Sequence, residues 1–274
     1  MAASPSGPCA TVCNMATQRI IDRIDTAPAF TEGDAAALNL RFAELSTEDV
    51  LRTVLHDGVA GNVAMVSSFG ADSAVLLHLA SQIDPSVPVL FLETGKHFPE
   101  TLAYRDTLIE RLGLTNVINL HPDEEVLAKR DKEGLRWSYD PDGCCEIRKV
   151  EPLAKALHGF DATITGRKGF QAATRAGLPR FEVDKSDAAG RLKVNPLIDW
   201  DAARIAAWFA DHHLPAHPLV AQGYPSIGCA PCTSKVAPGE DPRSGRWRGW
   251  DKTECGIHVA GKDDDLPPGY EPAF

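Results

Sequence analysis

Short apolar blocks alternate along this chain with longer segments of helical periodicity. One block runs to Val66 in "NVAMV"; others cover 87–95 in "VPVLFLETG", 116–120 in "NVINL" and 161–166 in "DATITG". Blocks of this length, rich in Val, Ile and Thr, read as buried strands. Helical patterns lie between them at 71–82, 99–112 and 146–158, with Gly113 closing the second. Helices at 33–45 and 47–58 precede the first strand. The latter has Ser46 or Thr47 as its cap and Glu48 and Asp49 in its first turn. A last amphipathic helix covers 199–213. Strands alternating with helices predict an α/β fold: a mostly parallel sheet flanked by helices on both faces.

The two ends differ from this pattern. Residues 1–32, rich in Ala, Ser, Pro and Thr, are expected to be a disordered tail. Cys9 and Cys13 read there as incidental thiols, and Met15 as an alternative start. From Pro215 the chain is Gly- and Pro-rich, and it finishes in the acidic "GKDDDLPPGYEPAF". Of the 274 residues, 43% are hydrophobic and 24% charged, which suits one α/β domain with appendages. No apolar run approaches the roughly 18–20 residues that span a bilayer, and the start lacks the order of a secretion signal. The expectation is a cytoplasmic protein, where grouped cysteines bind metal or do chemistry rather than form disulfides. A formal net charge of −10 argues against a general nucleic-acid binder, which needs a basic surface. An anionic small substrate needs local cations instead.

Candidate chemistry falls in two places. "SSFGADS" follows the first strand and opens a helix, where ligands sit in a parallel sheet. Gly70 permits a tight turn, Ser67, Ser68 and Ser73 offer hydroxyls, and the helix N-terminus favours an anion. There is no Walker lysine, and a plain serine-capped turn reads almost as well. "FLETGKHFPE" ends the second strand with Glu93 and Thr94 at the sheet edge; the bland reading is a helix start with His97 merely exposed. The second place is the cysteines. Cys144 and Cys145 are adjacent, Cys229 and Cys232 form a C-x-x-C pair, and Cys255 stands alone, three residues before His258. Zinc usually takes two C-x₂₋₄-C knuckles. A [4Fe–4S] cube is wider, which suits an adjacent pair better. Arg148, Lys149, Arg243, Arg246 and Arg248 offer cations to thiolates and an anionic ligand, or, for Arg248, plain solvated charge.

These residues in this order resemble the iron–sulfur type of the assimilatory sulfonucleotide reductases, which reduce adenosine 5′-phosphosulfate (APS). The resemblance spans roughly residues 40–258 and rests on "SSFGADSAVLLHL", "FLETGKHFPETL", "CCEIRKVEPL", "TGRKGFQAATR", "NPLIDW", "GYPSIGCAPCT", "PGEDPRSGRW" and "ECGIH". It implies an adenine-nucleotide alpha-hydrolase-like fold. It implies one [4Fe–4S] cluster per subunit on Cys144, Cys145, Cys229 and Cys232, and Cys255 as nucleophile with His258 beside it. It implies substrate contacts from Ser67, Ser68, Gly70, Ser73, Leu92, Thr94, Gly95, Lys149, Lys168, Arg175, Arg243 and Arg246. The expected division is a nucleotide- and cluster-binding α/β domain over 33–232 and, from its Gly- and Pro-rich composition, a mobile catalytic segment over 233–274. The chain departs from relatives at Gly169, Phe170 and Ala172, so contacts across 169–172 do not carry over, and Glu93 stands where many relatives have Asp.

In the implied reaction the Cys255 thiolate attacks the sulfate sulfur, AMP leaves, and thioredoxin or a similar dithiol protein frees sulfite. Glu254 is expected to point away, because a carboxylate beside the thiol would raise its pKa. One rival is a reductase for the 3′-phosphorylated nucleotide (PAPS), a type that commonly lacks the cluster cysteines. Another is a PP-loop ATP pyrophosphatase, such as a tRNA-thiolating enzyme, which wants S-G-G-x-D-S where this chain has S-F-G-A-D-S. A non-enzymatic zinc or cluster module has no need of Cys255 and His258. Neither membrane nor nucleic acid is an expected partner; a homo-oligomer is left open.

Overall fold

The computed structural model describes residues 29–187 and 189–258, with His258 described by its backbone alone. The expectations for Cys9, Cys13, Met15, the His258 side chain and the acidic end lie outside the described residues.

Six strands form one sheet in the order β3-β2-β1-β4-β6-β5: β1 Val63–Ser67, β2 Val89–Leu92, β3 Val117–Leu120, β4 Ala162–Thr165, β5 Phe181–Val183 and β6 Leu192–Val194. All neighbours pair in parallel except β5, which runs antiparallel to β6. The expected mostly parallel sheet is the one observed. The β5–β6 hairpin was not foreseen, because three-residue strands carry too little periodicity. The helices are α1 Glu32–Arg41, α2 Thr47–Leu55, α3 Ser73–Ser81, α4 Pro99–Leu112, α5 Glu124–Arg130, α6 Pro141–Cys145, α7 Glu151–Ala156 and α8 Ala202–Asp211. Ser46 caps α2 by accepting from the Asp49 N–H at 3.1 Å. The single helix expected over 146–158 is instead a π turn, Glu146–Val150, continuing α6 and leading into α7.

Successive strand residues serve opposite faces of the sheet. Met65 and Phe91 enter the larger core with Leu51, Leu77, Leu108 and Trp200. Ala64, Leu90 and Leu92 enter a smaller one with Leu153 and Leu157, against which Ile257 packs. The C-terminal segment thus docks on the α7 side. The edge strand β5 is covered: Asn39 of α1 accepts from the Phe181 N–H at 3.0 Å and donates to its carbonyl at 2.7 Å.

After β1 the chain turns at Phe69, not at Gly70 as expected: Phe69 adopts φ +46°. A left-handed non-glycine residue is strained and needs support. Here the ring is fully buried, edge-on to Phe91 with centroids 5.4 Å apart. Gly70 serves close approach instead, since a Cβ there would lie 3.3 Å from the Ile227 carbonyl oxygen.

His217, only 1% exposed, ties α4 to the loop after α8. Its Nδ1 accepts from the Leu219 N–H at 3.2 Å, so Nε2 carries the proton toward Thr101 Oγ1 at 3.1 Å. Burial lowers its pKa to about 4. As pH falls below about 6.5 the unfolded chain takes up a proton that the folded one refuses until about 4. Stability should therefore drop by about 2–3 kcal/mol between pH 7 and 4.5 on this account. Urea titrations of wild type and His217→Gln at both pH values test this: the variant's loss should be smaller by that amount, and equal losses would contradict it.

Candidate active site

The carboxyl ends of β1, β2 and β4 open on a cavity of about 830 Å³. Ser67, Ser68, Gly70 and Ser73 line it. Their hydroxyls also shape the loop: Ser67 Oγ accepts from the Phe69 N–H at 3.2 Å and Ser73 Oγ from the Gly70 N–H at 2.8 Å. Asp72 occupies the N-cap of α3 but gives no capping bond. Its carboxylate takes Gln171 Nε2 at 3.1 Å and Lys168 Nζ at 3.4 Å. The helix therefore starts without a side-chain cap, which suits an anion.

Leu92, the last residue of β2, also lines the cavity, and its carbonyl lies 2.8 Å from His97 Nε2. The bland alternative, a merely exposed His97, does not hold. It lines the cavity, its Nδ1 is buried with no partner among the described residues, and burial lowers its pKa. The polar atom a strand end leaves open is the signal that would have found it. Thr94 and Gly95, expected as substrate contacts, are not among the cavity-lining residues. Thr94 is fully buried, with Oγ1 3.4 Å from Cys229 Sγ and its carbonyl accepting from Arg148 Nη1 at 2.8 Å. The Gly95 N–H is taken by Glu93 Oε1 at 3.0 Å. This loop thus meets the cavity through Leu92 and His97 and the cysteines through Thr94 and Lys96.

Helix α6 ends in Cys144 and Cys145, its start fixed by Asp140, which accepts from the Gly143 N–H at 2.8 Å. The Cys229–Cys232 turn is pinned to the loop after β2 by the Ala230 N–H on the Lys96 carbonyl, 2.7 Å. All four thiols and Cys255 are free of disulfides. Cys144, Cys229 and Cys232 share one electrostatic neighbourhood: burial raises the Cys144 thiol, while burial and the neighbouring sulfurs push Cys232 up to about 11. Cys145 turns instead toward Cys255. Their hydrogen bond raises Cys145 and is the largest influence holding Cys255 well below the usual thiol range. Lys149, the Ile257 N–H and Arg246 act in the same direction, against burial. Lys149 Nζ stands 3.8 Å from Cys255 Sγ. Burial alone would lower the lysine's own pKa, but the sulfurs of Cys229, Cys255 and Cys145 raise it.

The π turn sends the neighbouring cations to different partners. Lys149 meets Cys255, whereas Arg148 forms a buried pair with Asp131 at 2.6 Å. Among the described residues no three His, Cys, Asp or Glu side chains converge as on a single ion. The four-thiol set, without imidazole or carboxylate, is donor chemistry that a tetrahedral zinc and an iron–sulfur cube share.

Lys168, Arg175, Arg243 and Arg246 line the cavity with Lys149 and Cys255. The Arg246 guanidinium stacks on Trp247 at 4.4 Å, and its Nε is buried without a partner among the described residues. A Cβ at Gly228 would overlap that guanidinium. Glu254 is held by Arg175 and Arg243, at 2.7 and 3.3 Å. Arg248 pairs with Glu240 at 3.0 Å on the surface and does not line the cavity, the solvated reading. Across the departing stretch, the Gly169 N–H donates to the Ile198 carbonyl at 2.9 Å and Gln171 reaches Asp72, while half-exposed Phe170 lines the cavity.

Residues 62–235 match the family described as the phosphoadenosine phosphosulfate reductase domain. The chain belongs to that reductase family. Within it, an adenosine 5′-phosphosulfate reductase of Mesorhizobium japonicum is 47% identical over 252 residues, 92% of this chain and 98% of the relative. One from a Chelativorans species is 49% identical over 235 residues, covering 85% and 94%. The solved structure of a phosphoadenylyl-sulfate reductase from Candida auris, a phosphate complex, aligns with TM-score 0.63 at 30% identity, over 76% of this chain and 98% of that one.

Arg148→Met should leave the Asp131 carboxylate, 1% exposed, buried without its partner. The expected cost is about 3–5 kcal/mol by urea denaturation. Arg248→Met, at a pair exposed by 49% and 41%, should cost under about 1 kcal/mol. Equal costs would show that the pair beside the cysteines is not structural.

Proposed function

We propose that this chain reduces adenosine 5′-phosphosulfate to sulfite and AMP in sulfate assimilation, in the cytoplasm, with a thioredoxin-like dithiol protein as reductant. The observation that carries this reading is a thiol on a cavity wall, 3.8 Å from Lys149 Nζ, sharing that cavity with the Ser67 and Ser73 loop and Arg246.

The Cys255 thiolate attacks the sulfate sulfur. The S–O bond to AMP breaks, AMP leaves with its electron pair, and Cys255 Sγ carries the sulfonate. A thiolate of the dithiol protein then attacks Cys255 Sγ and sulfite leaves with the S–S electron pair; the second thiolate attacks this mixed disulfide, and the Cys255 thiolate leaves as the dithiol protein's own disulfide closes. The dithiol supplies both electrons. Lys168, Arg243 and Arg246 oppose the sulfate and phosphate charge, which grows on the leaving oxygen. His258, three residues after Cys255, would help to hold the thiolate or bind the leaving anion.

Cys144, Cys145, Cys229 and Cys232 would hold a [4Fe–4S] cube, and their all-thiol chemistry fits it. When bound, the cube supplies structural cross-linking and electrostatics rather than electrons. Cys145 as a ligand has no proton to donate, so Lys149, the Ile257 N–H and Arg246 remain to hold Cys255 as thiolate.

Replacing Cys255 with Ser should reduce sulfite release from APS to background while leaving iron content unchanged, since a serine hydroxyl is barely ionised near neutral pH. Normal turnover in that variant rules out the assignment. Cys229→Ser should lose iron and the absorbance near roughly 400 nm that reports the cube; full iron loading would remove Cys229 from the ligand set. The alternative reading, a PAPS reductase, is supported by the Candida auris neighbour's name. Sulfite release from APS and PAPS side by side decides: kcat/KM should favour APS, and comparable or inverted values would favour the alternative.

A further inference from the structure

Glu254 immediately precedes Cys255, and its carboxylate is gripped from several sides. Arg175 donates to it through Nε and Nη2, both at 2.7 Å, as a bidentate fork. Thr174 Oγ1 adds a bond at 3.2 Å and Arg243 Nη2 one at 3.3 Å. Arg243 also reaches the Thr253 carbonyl at 2.9 Å. The Glu254 and Arg175 side chains are only 10% and 9% exposed. Burial would raise the carboxyl's pKa, but the arginines outweigh it, so the group is an anion. The fork is wired to the phosphate loop: Arg175 Nη1 donates to Gln171 Oε1 at 2.8 Å, and Gln171 Nε2 to Asp72 at 3.1 Å.

Two of the cations on the cavity wall are thus committed to a carboxylate of the chain's own Cys255 segment. The segment's other anchors are Lys149 on the Cys255 sulfur at 3.8 Å, the Cys145–Cys255 bond, Lys252 on exposed Asp142, and Ile257 against the small core. An anionic nucleotide that requires Arg175 and Arg243 must take them from Glu254. We propose that Glu254 is a latch. It holds the Cys255 segment against the cavity by occupying Arg175 and Arg243, and an anion bound in the cavity frees the segment by competing for those guanidiniums. Glu254 is a positioning residue, acting through the arginines and not on the reacting atoms. Only the identity of the anion rests on the function proposed above.

Backbone hydrogen exchange of the cluster-loaded full chain, read by mass spectrometry, tests this. Glu254→Gln keeps the shape and removes the charge. Without any nucleotide it should speed exchange across 250–257 about fivefold or more and leave 66–77 unchanged. Arg175→Lys, which keeps the charge and loses the fork, should do the same and serves if the first variant fails to load iron. In Cys255→Ser, where APS is not consumed, APS should slow exchange over 66–77 and speed it over 250–257. Adding Glu254→Gln to that background should abolish the acceleration. Wild-type exchange over 250–257 in both single variants, or APS slowing both segments, overturns the latch. If APS leaves 66–77 untouched, the substrate assignment fails and the nucleotide-free variants decide the latch alone.

Discussion

Lys149 holds its ammonium 3.8 Å from the sulfur of Cys255, and the local architecture exists to make that contact stable. A lysine among sulfurs gains from every thiolate near it, and each thiolate gains from the lysine. Burial works against the charge of both, and the neighbouring groups outweigh it. Several elements converge to supply the pair. Helix α6 sets the adjacent cysteines, the π turn that continues it aims Lys149 and Arg148 apart, and β2 ends in the loop that receives the C-x-x-C turn. The sheet provides the rigid edge from which these loops project.

Charge balance extends this logic outward. The chain is net negative, yet the cavity gathers Lys149, Lys168, Arg175, Arg243 and Arg246. Some are already answered: Lys168 by Asp72, Arg175 and Arg243 by Glu254. Arg246 keeps an Nε without a partner among the described residues, with its guanidinium where a Cβ at Gly228 would lie. A site built so sets internal ion pairs against any external anion for the same cations.

Much of this was legible in the sequence. The parallel strands, the loop over 67–73 and the cysteine pairs stand on local pattern, and local pattern survives folding. The failures are instructive. Gly70 looked like the turn residue, but the ring of Phe69 buries well enough against Phe91 to support a left-handed backbone. Thr94 lies at a strand end, and nothing near it in the chain signals its neighbour Cys229, 135 residues away. Glu254 was expected only to avoid Cys255; which arginines it joins depends on a loop 79 residues back. Long-range side-chain pairing leaves no periodic trace in sequence.

The central claim is that Cys255 itself takes the sulfonate. Intact-mass measurement of the wild-type protein after APS is added, with no dithiol present, tests it most directly. One sulfonate, about 80 Da, should appear on the peptide that contains Cys255 and vanish when reduced thioredoxin is added. An adduct on Cys144, Cys145, Cys229 or Cys232, or sulfite release with no protein adduct at any time, would contradict the account.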